Sequence, residues 1–274
     1  MSTEARLRRF SPAQRLFHVT LMLCFAIQSA TGLARLFSET PWGQGVGRLF
    51  GGYEASLTVH KYVGLCMLAL FVAHVLYLLA TLRRRGLAAV LGPDSIAPAP
   101  ADLKQFFQHV GWMLGLTNHP RFDRWGYWEK FDYWAVFWGM AIIGGTGLLL
   151  WDPLASSALM PGWGINLALW VHRLEAALAM AHVFLIHFFI GHLRPHSFPM
   201  DMAMFEGSVS LEASRGERAA WVERLEQTGA LPGALVQPAA PARRLLFLVF
   251  GFAVMAFCLY LLVGGLANVT RVTW

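Results

Sequence analysis

Between Trp170 and Arg194 the chain is apolar and long enough to cross a bilayer, yet this stretch carries His172, His182, His187 and His192. An ionisable side chain inside a membrane span is costly and rare, so it marks a functional site by default. His172 and His187 stand about 22 Å apart along a helix, and their directions differ by about 60°. One helix therefore offers an imidazole near each side of the membrane, on nearly one face. The stretch 57–82 repeats the device. His60 and His74 are about 21 Å apart with a mismatch of about 40°. Two such helices can clamp two flat iron porphyrins stacked across the membrane. A low-spin b-type haem needs two axial nitrogens and no covalent attachment, and neutral imidazole suits iron. The spacing pairs His60 with His172, and His74 with His187. The plainer reading, proton relays or interhelical hydrogen bonds, leaves the matching depths unexplained.

Composition agrees with the bilayer. Of 274 residues, 56% are hydrophobic and only 14% charged, which indicates an integral membrane protein. Apolar stretches of spanning length occur at about 13–36, 57–82, 131–151, 168–193 and 243–266. The first follows Arg6, Arg8, Arg9 and Arg15 without a small-residue cleavage site, so it reads as a retained span. If the N-terminus is cytoplasmic, seventeen of the 22 lysines and arginines lie inside, leaving Arg35, Arg48, Lys61, Arg173 and Arg271 outside. That bias predicts an N-in, C-out topology. The net charge of +6 follows topology and forms no groove-tracking stripe, so a nucleic-acid partner is excluded. Cys24, Cys66 and Cys258 form no CxxC or CxxCH, so neither covalent haem nor a disulfide framework is expected.

The expected organisation has four parts. Residues 1–12 form a basic cytoplasmic arm. Residues 13–193 form a four-helix core that includes the cytoplasmic loop 83–130. A cytoplasmic linker segment covers 194–242, and a fifth transmembrane helix with an outer tail covers 243–274. In the loop, apolar residues at 103, 106, 107, 110 and 114 predict an amphipathic helix over 102–116, lying on the membrane surface or on its own loop. The run RFDRWGYWEK (121–130) suits an interfacial anchor. Gly139, Gly144, Gly145 and Gly147 permit close approach of a helix or a porphyrin plane. The fifth span lacks histidine and acidic residues, as a peripheral helix or partner contact would.

An internal repeat ties the spans together. RLFHVTLMLCFAIQSATGL in span one aligns with KFDYWAVFWGMAIIGGTGL in span three, so that Arg15 meets Lys130, His18 meets Tyr133, and Thr31-Gly32 meets Thr146-Gly147. Spans two and four open with Val59-His60-Lys61 and Val171-His172-Arg173. The predicted fold is an all-α integral membrane protein. Two repeated helical hairpins make a four-helix haem-binding bundle, and a fifth helix is added.

QRLFH with TG in span one, LTVHKY, YWEKFDYWAVFWGM…TGLLLW and HRLEAALAMAHVFLIHFFIGHLRPHSFPMD together cover residues 10–205. These pieces resemble the membrane cytochrome b family that includes formate dehydrogenase gamma subunits, Ni–Fe hydrogenase cytochrome b and thiosulfate-reductase-type cytochromes. The fifth span departs from its simplest four-helix members. The resemblance implies a multi-pass protein of the bacterial inner membrane with two b haems. Electrons would pass between the quinone pool and a peripheral redox protein, such as a multihaem cytochrome c or an iron–sulfur subunit. It also implies that His60 and His172 hold the outer haem. For the inner haem it pairs His18 with His187, whereas symmetry and spacing put His74 ahead of His18.

The other histidines carry less. His182 lies about 80° off the face of His172, where it suits helix packing or a quinone site. His192 and His196 fall at the inner interface, and His109 and His119 fall in the cytoplasmic loop. Glu175 suits a haem-propionate neighbour, a proton carrier or a partner for Arg173. Gln14, Gln28, His18, His192 and the 102–116 helix could border a quinone pocket. The weakly charged loops 37–56 and 152–168 suit docking of an external partner. A haem-free, histidine-lined proton or metal transporter is the alternative from another class, and a colourless protein would reveal it. A mere anchor for a soluble oxidoreductase would make the histidines incidental. No chemistry at an organic substrate is visible in the chain.

Overall fold

The computed structural model describes residues 5–194 and 197–272. Among these, four helices are long and apolar enough to cross a membrane: Pro12–Leu36, Tyr53–Arg85, Gly162–Leu193 and Pro241–Arg271. The place of the third expected span is taken by the helix Tyr127–Leu149. It is long enough, at about 34 Å, but its first turns hold Glu129, Lys130 and Asp132 among tyrosines and tryptophans. Those residues belong to a membrane boundary rather than its centre, which is why this helix falls short of the other four in apolarity. The chain divides into two compact units.

One unit comprises Leu16–His74, Val136–Leu193 and Val249–Trp274. It holds the short α2 (Pro41–Arg48) and α5 (Gly162–Ala181) whole, and the greater part of α1 (Pro12–Leu36), α3 (Tyr53–Arg85) and α4 (Tyr127–Leu149). Helix α5 runs on as π-helix over His182–His187 and Phe189–Leu193. The last helix is α6 (Pro241–Asn268). Thr40 caps α2 by accepting from the Gly43 amide at 3.0 Å. Gly51 and Gly52, both at positive φ, make the turn into α3 that a β-carbon would strain. Ala30, Thr31, Leu33, Cys258 and Leu261 are buried, whereas Leu65, Val72, Leu167, Leu178, Leu185 and Val263 face outward. Helices apolar on their exposed side suit a lipid surround. The fifth span packs inward at one end, because Gly264 leaves no room for a β-carbon beside the Trp42 indole.

The other unit comprises Met1–Arg15, Val75–Ala135 and Arg194–Leu248. Its centre is a three-stranded antiparallel sheet in the order β2-β1-β3, with β1 (Arg6–Arg8) between β2 (Ser208–Ser210) and β3 (Leu235–Val236). The register sets Arg6 opposite Ser210 and Val236, and Leu7 opposite Val209 and Leu235. Strand alternation turns Leu7 into a small core with Trp221 and Val222. Arg6 is buried too, and it pairs with Glu206 at 3.0 Å. Arg9 donates to Glu129 at 2.7 Å and to the Arg124 carbonyl at 2.9 Å, while Arg218 meets the same carboxylate at 3.1 Å. Burial alone would raise the Glu129 carboxyl, but Arg9 and Arg218 outweigh it and hold the group below the ordinary carboxylate range. The basic arm thus supplies the central strand, with Arg6 and Arg9 buried and ion-paired and Arg8 exposed. The expected amphipathic helix spans Pro100–Met113 and is tied at its start by Lys130, which meets Asp102 at 2.9 Å.

Candidate functional site

The two histidines of the VH[KR] openings face each other. His60 on α3 and His172 on α5 have ring centres 6.3 Å apart, with planes at 75°. Each is held by a threonine on the preceding long helix. Thr31 Oγ1 on α1 lies 2.9 Å from His60 Nδ1, and Thr146 Oγ1 on α4 lies 3.0 Å from His172 Nδ1. The hydroxyl protons are committed elsewhere, since Thr31 donates to the Ile27 carbonyl at 2.8 Å and Thr146 to the Ile142 carbonyl at 2.8 Å. A carbonyl can only accept, so each hydroxyl oxygen must accept from Nδ1–H of its histidine. That fixes the tautomer and leaves both Nε2 lone pairs available to a metal.

The glycine after each threonine completes the seat. A β-carbon on Gly32 would come within 3.5 Å of His60 Cε1, and one on Gly147 within 3.3 Å of His172 Cε1. The glycines let the imidazoles lie against α1 and α4. The Thr-Gly pairs of the internal repeat are thus two copies of one histidine clamp, one per hairpin. The internal repeat aligns both pairs without giving the threonines a role, and Gly147 reads there as permitting close approach of a helix or a porphyrin plane. Their repetition one helix before a VH[KR] motif was the available signal.

A second ring pair involves the π-helical stretch. His18 on α1 and His187 have ring centres 6.4 Å apart, with planes at 41°. His192 follows one π-turn later, 6.3 Å from His187. His74, favoured by spacing as the partner of His187, stacks on Phe17 at 5.1 Å. Bonding from i to i+5 winds the chain more loosely than an α-helix does, so a straight-helix count does not carry unchanged from His172 to His187. Gln28, expected near His18, instead donates to the His60 carbonyl at 2.9 Å. Lys61 donates to the Trp151 carbonyl at 2.9 Å. Glu175 faces Gly139, where a β-carbon would stand 3.1 Å from its Oε1. His109 and His119, with no partner evident in the sequence, meet edge to face with ring centres 5.3 Å apart, and His109 Nδ1 lies 3.1 Å from the Tyr127 hydroxyl. His196 lies outside the described residues.

Both ring pairs have the separation that a bis-histidine iron demands. Two metal–nitrogen bonds of about 2 Å each, extended to the two ring centres, span roughly 6 Å. The donor set is right as well, because imidazole nitrogens without thiolate or carboxylate suit a haem iron.

Residues 9–207 match the model of a family described as prokaryotic cytochrome b561. The chain is 21% identical over 232 residues to the cytochrome b556(Fdn) subunit of nitrate-inducible formate dehydrogenase from Escherichia coli K12, covering 84% of this chain and 96% of that one. The same subunits from Escherichia coli O157:H7 and Shigella flexneri match to the same extent.

Proposed function

The chain belongs to the prokaryotic cytochrome b561 family, and from that premise we propose that it holds two b haems and passes electrons between quinone and a redox partner. The coarser statement stands on the family: this is a multi-pass bacterial membrane protein, a b-type cytochrome of electron transfer. The observation that carries the finer one is the pair of ring separations, 6.3 Å for His60–His172 and 6.4 Å for His18–His187. On this reading His18, not His74, completes the second site. His74 then supports Phe17 rather than binding iron.

Haem supplies one-electron chemistry at its iron. The chain's own residues do the rest. His60 and His172 are oriented by Thr31 and Thr146, and the surrounding apolar helices exclude water. The charge bias places His60 and His172 towards the outside and His18 and His187 towards the cytoplasm. Quinone is then handled near His18 and His187, with protons exchanged on the cytoplasmic side of the bacterial inner membrane. A peripheral redox protein docks outside, on loops 37–56 and 152–168. The relative's name, a subunit of a formate dehydrogenase, supports membership of a larger oxidoreductase complex.

The test is haem stoichiometry. Wild-type protein should yield two haems per chain into acid acetone, because CxxCH is absent. His18→Ala should keep one haem and His74→Ala should keep two. A wild-type count below two sinks the dihaem reading, and the reverse mutant pattern returns the ligand to His74. For the route, His172→Ala should still allow a quinol analogue to reduce the remaining haem while the external partner stays oxidised. Loss of quinol reduction with that haem still bound would move quinone to the other side.

A further inference from the structure

At the end of α1 stands a cation that no carboxylate among the described residues neutralises. Arg35 lies one turn beyond Gly32, the residue that seats His60. Its guanidinium sits 4.9 Å above the Tyr53 ring, and its Nη1 is buried with no hydrogen-bond partner among the described residues. Lys61 makes the contrast, since its ammonium donates to the Trp151 carbonyl and sits over that ring. The acidic residues nearest in sequence, Glu39 and Glu54, are exposed and form no ion pair with Arg35. A buried guanidinium nitrogen left unmatched costs more than an ordinary hydrogen bond returns. Such a group calls for an anion from outside the chain.

The position says which anion. Tyr53, which carries the guanidinium, precedes His60 by about two helical turns, roughly 10 Å along α3. A cavity of about 220 Å³ next to Tyr53 is lined by Ala34, Ser38, Gln44, Arg48 and Ser56 along with glycines, so Tyr53 borders open space as well as the guanidinium. A b-type haem carries two carboxylates on one edge of its ring. We propose that Arg35 is the anchor for a propionate of the haem held by His60 and His172, with Tyr53 presenting the guanidinium to it. This rests on the axial pairing given above.

The experiment is resonance Raman spectroscopy of the propionate bending band, combined with a redox titration that resolves the two haems, on the full-length protein in detergent. Arg35→Gln should keep both haems, shift the propionate band, and raise the ferric-to-ferrous ratio of one haem about tenfold at fixed potential, because a charge-assisted contact is lost. Arg35→Lys should retain most of the wild-type ratio, and Glu39→Gln with Glu54→Gln should change neither signal. An unchanged band and ratio in Arg35→Gln with two haems bound overturns the proposal. If Arg35→Gln loses a haem, retention by Arg35→Lys upholds the charge link, and loss from both variants assigns Arg35 a packing role and overturns it. His60→Ala separates the two levels of inference. If it keeps both haems, the axial pairing has failed. If it loses one while Arg35→Gln is silent, only the propionate anchor has failed.

Discussion

Thr31 and Thr146 show what a single hydroxyl decides. Each passes its proton to a carbonyl one turn back and takes one from a histidine, so the imidazole is locked in the tautomer that ligates through Nε2. Removing such a supporting contact weakens a metal site by about 10-fold to 100-fold. Thr31→Val and Thr146→Val should each hasten loss of one haem to apomyoglobin by that order and leave the second haem in place. On the proposed pairing both act on one iron, so the double variant should fall short of the product of the singles. Independent, fully additive effects would mean the two threonines serve different haems. The histidines themselves were legible from the sequence, since charge-bearing groups at spanning depth stand out against apolar residues. Their supporting hydroxyls were not, because a threonine in a helix has many uses and only the fold selects one.

Helix α5 and its π-helical continuation explain why the second pair was harder to read. Helical counting assumes about 100° per residue, and His60 and His172 each lie near the start of an apolar stretch, where little counting is needed. Between His172 and His187 the chain changes its winding at His182, an event that leaves no residue pattern of its own. The one trace is the spacing, fifteen residues here against fourteen between His60 and His74. The wider turns absorb the additional residue. Deleting Leu185 should let the segment return to α-helix with fourteen-residue spacing and retain two haems. Inserting an alanine at the same place should turn His187 by about 100° and cost one haem. Haem per chain decides both, and two haems in the insertion variant would show that this winding does not set the ligand.

On the scale of the whole molecule, apolar and polar segments separate clearly in the sequence, while the partners of the polar ones do not show. A cluster of arginines ahead of a span reads as a basic arm and nothing more, because its pairing with Glu129 and Glu206 depends on residues up to 200 positions away. Replacing Glu129 by Gln leaves Arg9 and Arg218 without their shared anion and should cost about 3 kcal/mol. The pH dependence has a definite sign. Since Glu129 titrates below its ordinary range in the folded protein, the wild-type advantage over Glu129→Gln is complete above that range and is lost as pH falls through the depressed value. Limited proteolysis within 208–236 at a series of pH values measures it, and an advantage that grows on acidification would refute the assignment. The central position of β1 also bears on how the protein is made. Arg6 leaves the ribosome 202 residues ahead of Ser208, its hydrogen-bond partner, on the order of ten to forty seconds at ordinary rates of synthesis. Until translation passes Val236 the leading strand has open edges on one side or both. A prematurely terminated chain therefore carries its defect at the opposite end from the break, as an unpaired strand exposed to whatever surveys newly made proteins.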